Sequence, residues 1–257
     1  MPDWNAAQYL TFQTERTQPA LDLAGRVRHY LPVKKALDVG CGPGNSTQVL
    51  FERFPAAKII GIDNSPNMIE SAKLAYPHLQ FSLCDASRDL AAMGGGFDLV
   101  FSNACIQWVP NHHKLLREML GLLNPGGMLA VQTPMNHEEP IHKIILEVAV
   151  RPEWAEKIAV QRIFYNLTPG EYYDLLAEIS SEFSVWQTIY FHKMRSHEDI
   201  IAWYRSTGLR PYLNSLRDDE KPDFENDILK ELRNAYPEQA NGEIIFRFPR
   251  LFFTAVR

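Results

Sequence analysis

The chain is short of the features that mark secreted, membrane-bound or nucleic-acid-binding proteins. It has three cysteines in 257 residues, Cys41, Cys84 and Cys105, widely spaced and without a CxxC pair. An odd set of that kind excludes a disulfide frame and reads as reduced cytosolic thiols. There is no long apolar run and no charged-then-apolar leader, so a cytoplasmic protein with no membrane partner is expected. Positive charge is scarce as well. The 26 Lys and Arg against 31 Asp and Glu leave a net charge of -5, which argues against a nucleic-acid partner. A few local arginines can still invert the field of one cleft for a small anion. The Gly-Lys-Ser/Thr of a phosphate-binding loop is missing, and so is an obvious Ser-His-Asp set. No metal is expected. His112 and His113 are adjacent and point apart on a helix, and His137 and His142 around Glu138-Glu139 fall short of HExxH spacing. What the chain does have is ample core, with 46% hydrophobic residues, and a length that suits one large domain or two small ones.

Periodicity divides the chain into two styles. The first 30 residues read as amphipathic helix, with Tyr9, Gln13 and Arg16 on one face. Strands then alternate with helices. Strands are expected over Ala36–Val39, Lys58–Ile62, Leu79–Leu83, Phe97–Ser102 and Met128–Thr133. Helices are expected over Thr47–Phe54, from Ser65-Pro66 onward, and over Lys114–Leu123 up to the stop at Asn124-Pro125-Gly126-Gly127. This alternation predicts an α/β fold with a parallel sheet and helices on both faces. Beyond Thr133 the style changes. Helices are expected over Ile141–Val150, Trp154–Ile163, Ser196–Ser206 and Pro222–Ala235, with a capping box at Thr168-Pro169-Gly170-Glu171. Ser184–Lys193 alternates like a strand, and two terminal β segments, Ile244–Phe248 and Leu251–Val256, flank Pro249. The stretches 137–165 and 196–241 read as helical additions packed over one edge of the sheet.

The most informative run is KALDVGCGPGN, Lys35–Asn45: a strand ends in an acid, and a glycine-rich turn opens a helix. Gly40, Gly42 and Gly44 let the backbone approach a ligand closely, and the helix start offers unpaired N–H groups and a positive dipole end. Ligands of open parallel sheets bind outside the carboxyl ends of the strands. Four such ends carry polar residues here: Asp38 to Gly44, Asp63-Asn64, Asp85-Ala86 and Asn103-Ala104. A nucleoside cofactor needs such a set. An acid after the second strand can accept ribose hydroxyls, an acid after the third an adenine amino proton, and a carbonyl after the fourth an ammonium. Each acid alone is as well read as a helix cap; their joint occurrence favours the cofactor. The dinucleotide fingerprint wants its third glycine where Asn45 stands, so a nicotinamide cofactor fits poorly.

DVGCGPGNST, GIDNSPNMI, CDA and FDLVFSNACIQWVP resemble the successive motifs of class I S-adenosylmethionine-dependent methyltransferases. The resemblance covers about residues 30–135. It implies a Rossmann-like, mostly parallel seven-stranded sheet and a single methyltransferase domain over 1–257, with 30–135 as cofactor core and 137–165 and 196–241 as a helical cap over the active site. It implies S-adenosyl-L-methionine as cofactor, its methionine end at Asp38, Gly40, Cys41 and Gly42. The ribose falls at Asp63-Asn64, the adenine at Asp85 and Ala86, and the sulfonium side near Asn103 and Ala104. QYLTFQTERTQPALDL, STGLRPYL and FPRLFFTAVR are further similar to the trans-aconitate methyltransferases, which esterify a tricarboxylic acid. Gln18 departs from that pattern, which has a basic residue there.

A carboxylate acceptor is ionised at pH 7 and needs no general base, so catalysis would be alignment and no catalytic acid or base is expected. Charge partly cancels between a sulfonium and a carboxylate, so a dry cleft helps. Arginines should then hold the non-reacting carboxylates and neutral donors the reacting one. The neutral candidates are Tyr9, Gln13, Gln107 and Trp108. The cationic ones are Arg16, Arg205 and Arg210, with Arg247 and Arg250 behind them and Tyr212 alongside. Methyl transfer to another small acid, to nucleic acid or protein, or a non-catalytic cofactor-binding module are the alternatives.

Overall fold

The computed structural model describes residues 13–27, 32–158, 162–205 and 207–257; of Gln13 and Thr14 only the backbone is described. Tyr9 and the side chain of Gln13 therefore lie outside the described residues. The elements run α1 Gln13–Arg26, β1 Lys35–Val39, α2 Asn45–Arg53, β2 Lys58–Asp63, α3 Pro66–Ala75, β3 Gln80–Leu83, β4 Phe97–Asn103, α4 His112–Gly121 and β5 Leu123–Pro134. They continue with α5 Pro140–Ala149, a single turn α6 Pro152–Ala155, α7 Pro169–Ile179, β6 Glu182–Met194, α8 His197–Arg205, a single turn α9 Arg210–Leu213, α10 Lys221–Ala235 and β7 Ile244–Val256.

The seven strands form one sheet in the order β3-β2-β1-β4-β5-β7-β6. β1 pairs parallel with both β2 and β4, β2 with β3, and β4 with β5. β7 runs antiparallel to β5, because Gly126 donates to Arg257 O while Met135 donates to Pro249 O. The chain builds outward from β1 to β3 and then jumps back to lay β4 on the other side of β1. That reversal is the switch point of an open α/β sheet, where the carboxyl ends of two neighbouring strands diverge and leave a crevice.

The chain forms two compact units. The first comprises 1–134, 165–188 and 251–257; the second comprises 135–164 and 189–250. In the first, β1, β4 and β5 are covered on both faces, so the neighbours Ala36 and Leu37, Leu99 and Val100, and Leu129 and Ala130 are all fully buried. Such continuous apolar strands are what a parallel sheet between helix layers requires. α1 packs on α2 and β5. Ser65 caps α3 by accepting from Met68 N, with Pro66 in the first turn. Thr168 and Glu171 complete the expected capping box of α7 in both directions. In the second unit α10 packs on α5 and α8. Phe246 sits at the centre of its aromatic core, 5.9 Å from the ring of Tyr204 and 6.0 Å from that of Trp203.

Three expectations change. Among the described residues, the helix expected over Trp154–Ile163 is the turn Pro152–Ala155, where Trp154 is drawn inward onto Phe224 and its indole N–H donates to Asp227. The stop at Asn124–Gly127 belongs to β5, which starts at Leu123 and takes up the irregularity in a register shift opposite Phe97 and Leu99. Pro249 does not break β7, since the role it fills there is that of an acceptor, for Met135 N. Among the described residues no helix is long and apolar enough to cross a membrane, and no group of three or more His, Cys, Asp or Glu is placed to hold a metal.

Candidate active site

The glycine turn after β1 is tied to β2 by its backbone: the N–H groups of Gly40 and Cys41 both donate to Ile62 O, at 2.8 and 2.9 Å. Asp63, at the end of β2, then closes the arrangement. One carboxylate oxygen accepts from Gly42 N and the other from Ser65 N, each at 2.9 Å. Gly40 has φ +75°, and a Cβ built on it would lie 2.2 Å from Cys105 Sγ. The loops that follow β1 and β4 thus meet in atomic contact at the switch point, and only a glycine fits between them.

Beneath the turn, Asp38 is fully buried. Its Oδ2 accepts from Ser46 Oγ at 2.6 Å and Thr47 Oγ1 at 2.7 Å, both from the first turn of α2, while its Oδ1 has no hydrogen-bond partner among the described residues. Burial pushes its carboxyl up to about 6, against the pull of the two hydroxyls. Burial also lifts the thiols of Cys41 and Cys105 well above the ordinary range, so neither is a ready nucleophile.

Asp85 caps its own turn. Its Oδ1 accepts from Ser87 N and Oγ, and its Oδ2 from Arg88, a side chain 75% exposed. These bonds, the Ser87 hydroxyl foremost, hold its carboxyl below the usual range. Ala86 is buried and Asn64 exposed. Asn103 is half-buried, with its Oδ1 unpartnered among the described residues. Ala104 adopts φ +54°, an uncommon backbone for a residue with a side chain, and its carbonyl accepts from Gln107 Nε2 at 2.7 Å.

Gln107, a neutral candidate for the substrate, has partners within the protein. The side chain is buried and engaged at both ends, donating to Ala104 O and accepting from Thr133 Oγ1 at 3.3 Å. Thr133 in turn accepts from Asn166 Nδ2 at 3.0 Å. Trp108 lies on the same short turn, Ile106–Trp108, and is half-buried. That turn is pinned from behind by His112. Its Nε2 faces Ile106 O at 2.9 Å and must donate, so its Nδ1 accepts from Tyr172 O–H at 2.6 Å. Thr133, Asn166, His112 and Tyr172 were not expected at the site. Asn166 and Tyr172 come from a segment 60 residues further along, and no spacing rule connects them to β4. We expect Tyr172→Phe, which strips a buried acceptor of its donor, to cost about 1–3 kcal/mol in urea unfolding.

The remaining candidates separate. Arg16 is buried on α1 in the first unit, whereas Gln18 two residues on faces outward and donates to Asp22 at 2.8 Å. In the second unit the guanidinium of Arg205 grips Glu225 through two bonds of 2.6 Å. Arg210 is half-buried at the start of α9. Tyr212 is buried, its oxygen accepting from Arg162 N at 3.4 Å.

A family model for the methyltransferase domain matches residues 32–197. The chain belongs to the methyltransferase family. It is 43% identical to a trans-aconitate 2-methyltransferase of Methylobacterium radiotolerans, over 99% of this chain and 98% of that protein. It is also 43% identical to one from Escherichia coli O139:H28, over 100% and 99%. Among solved structures, YcgJ of Bacillus subtilis superposes with a TM-score of 0.59 at 14% identity, covering 93% of this chain and 98% of that one. Phosphoethanolamine N-methyltransferase 2 of Haemonchus contortus, bound to S-adenosyl-L-methionine, gives 0.57 at 17% identity, over 93% and 52%. At these identities the two structures speak for the methyltransferase fold alone.

Proposed function

We propose that this methyltransferase transfers a methyl group from S-adenosyl-L-methionine to a carboxylate oxygen of trans-aconitate, giving a monomethyl ester. The observation that carries the substrate is the identity of 43% over essentially the whole length of curated trans-aconitate 2-methyltransferases. The residues present suit the cofactor. The Gly40 cradle is one a single Cβ would fill, Asp38 Oδ1 is a buried acceptor awaiting a donor, and Asp63 is held at the end of β2 by Gly42 N and Ser65 N. Asp38, Gly40, Cys41 and Gly42 would hold the methionine end, Asp63 and Asn64 the ribose, Asp85 and Ala86 the adenine, and Asn103 and Ala104 the sulfonium side. When bound, the cofactor supplies an electrophilic methyl on a positive sulfur.

The protein's own part is placement. A carboxylate with an ordinary pKa is ionised at neutral pH, and the buried histidine of the site, His112, has both ring nitrogens committed. Burial also holds His112 below its ordinary range. Tyr9, Gln13, Arg16 and Trp108 are proposed to orient the acceptor. Gln107 does so indirectly, by fixing the strained Ala104. Alignment alone can supply about 7–11 kcal/mol of the barrier. All three cysteines are free, in keeping with the cytoplasm as the place of reaction.

The test is a ranking of kcat/KM for trans-aconitate, cis-aconitate, citrate, a fatty acid and bulk RNA. Trans-aconitate at the head, by at least ~10-fold, is the expected result; one extra methylene or a misplaced group is worth about that much. Turnover of RNA or the fatty acid above trans-aconitate would sink the assignment.

A further inference from the structure

The chain leaves the first unit after Pro134 and re-enters it at Tyr165. Asn166, the next residue, clasps the point of exit. Its Nδ2 donates to Pro134 O at 2.9 Å and to Thr133 Oγ1 at 3.0 Å. The Thr133 hydroxyl donates to Gln107 Oε1 at 3.3 Å, and Gln107 Nε2 donates to Ala104 O at 2.7 Å. The direction of this relay is forced from both ends. Pro134 O and Ala104 O are carbonyls and only accept, so each amide must turn its N–H₂ toward them. Gln107 then presents its oxygen to Thr133, which has one O–H to give and accepts from Asn166 in turn. Hydrogen bonds that all run one way polarise one another. Thr133 is fully buried and Gln107 nearly so, which keeps water from competing.

A second route from the same segment meets the same turn. Tyr172 O–H donates to His112 Nδ1, and His112 Nε2 to Ile106 O. The two routes thus end on the carbonyls of residues 104 and 106, on either side of Cys105. What lies between them has to be held. Ala104 has φ +54°, a backbone that persists for a residue with a side chain only where its surroundings impose it. Cys105 packs so closely on Gly40 that a Cβ there would lie 2.2 Å from Sγ. Any relaxation of Ala104 therefore shifts Cys105 against the glycine turn. Asn166 Oδ1, meanwhile, is buried without a hydrogen-bond partner among the described residues. Such an oxygen is a cost in packing, so what the side chain contributes is the pair of bonds it donates.

We propose that Asn166 and Thr133 are positioning residues for the cofactor: their relay through Gln107 holds Ala104 in its left-handed conformation and so keeps the cradle at Gly40 and Cys105 shaped for the methionine end of S-adenosylmethionine. Neither residue touches the cofactor in this scheme; both act through Gln107. The proposal rests on the placement of the methionine end at this turn.

The test is calorimetric binding of two probes, S-adenosylhomocysteine and methylthioadenosine, the second being the same nucleoside thioether without the amino-acid end. Wild type should prefer S-adenosylhomocysteine by at least ~10-fold. In Asn166→Ala and Thr133→Val its affinity should fall about 10-fold, the scale of one buried hydrogen bond, while that of methylthioadenosine stays within about twofold. Thr133→Ser keeps the hydroxyl and should bind both probes as wild type does. Asn166→Ala/Gln107→Ala should bind no more weakly than Gln107→Ala alone, because both changes cut one relay. If Asn166→Ala fails to fold, Thr133→Val against Thr133→Ser carries the test. Unchanged affinity in the variants overturns the relay. So does an equal loss for the two probes, or additive losses in the double variant, either of which marks a merely structural role. A wild type that binds both probes equally well, or neither, overturns instead the placement of the methionine end. No acceptor enters the experiment, so its outcome is independent of the trans-aconitate assignment.

Discussion

Gly40→Ala is expected to abolish measurable cofactor binding, and removing the neighbouring thiol is not expected to restore it. The added Cβ would sit 2.2 Å from Cys105 Sγ but also 2.3 Å from Cys105 Cβ. Cys105→Ala therefore leaves the collision in place, and only Cys105→Gly clears it. Two costs combine in the single variant. An L side chain at φ +75° costs on the order of 1–3 kcal/mol, and a forced overlap in a packed site costs about the same again. Together these are worth roughly 100-fold or more in affinity. Titration of S-adenosylmethionine into Gly40→Ala, Gly40→Ala/Cys105→Ala and Gly40→Ala/Cys105→Gly separates the terms. Partial recovery in the third alone is the expected order. Equal recovery in the second would mean that the sulfur, not the approach of the two loops, makes the glycine necessary.

Asp38→Asn is expected to stabilise the free protein while weakening its hold on the cofactor. The carboxyl of Asp38 is raised from 3.8 to about 6 by burial, so the folded state binds a proton more tightly than the unfolded one. Stability contributed by the neutral form is present at low pH and is lost as pH rises from about 4 through about 6. Above that range the buried charge costs about 3 kcal/mol, at 1.36 kcal/mol per pKa unit. Asparagine keeps an acceptor for Ser46 and Thr47 and places an N–H₂ at the unpartnered Oδ1. Its gain is thus reduced by one unsatisfied donor, leaving on the order of 1 kcal/mol at pH 8. Urea unfolding of wild type and variant at pH 5 and pH 8 should show the advantage of asparagine at pH 8 only. Addition of S-adenosylmethionine should reverse the order, because the ligand stabilises in proportion to its affinity. A variant less stable than wild type at pH 8 would contradict the placement of the charge.

What could be read from the sequence was whatever is written locally. The glycine turn, the acids at the strand ends and the Ser65 and Thr168 caps each depend on residues a few positions apart. The strand-helix alternation also gave the parallel sheet, and β1 to β4 lie within two residues of where the pattern placed them. The misses are of another kind. The partners of Gln107, Ala104 O and Thr133, were not legible, because they are set by how β4 and β5 pair. The ion pair of Arg205 was not legible either, because Glu225 stands twenty residues away on α10. Pro249 and the Asn124–Gly127 stop were read as breaks, by propensity alone, where tertiary pairing draws them into strands.

The most direct test of the central claim is methyl transfer from labelled S-adenosylmethionine to trans-aconitate at pH values from 7 to 9, with the product treated in mild base. The account predicts one methyl per acceptor, released by base as an ester is, at a kcat that does not change across the range, because the acceptor is ionised throughout and no protein group must take a proton. Label stable to base, or a kcat rising about tenfold per pH unit as for an acceptor that must first be deprotonated, would contradict it.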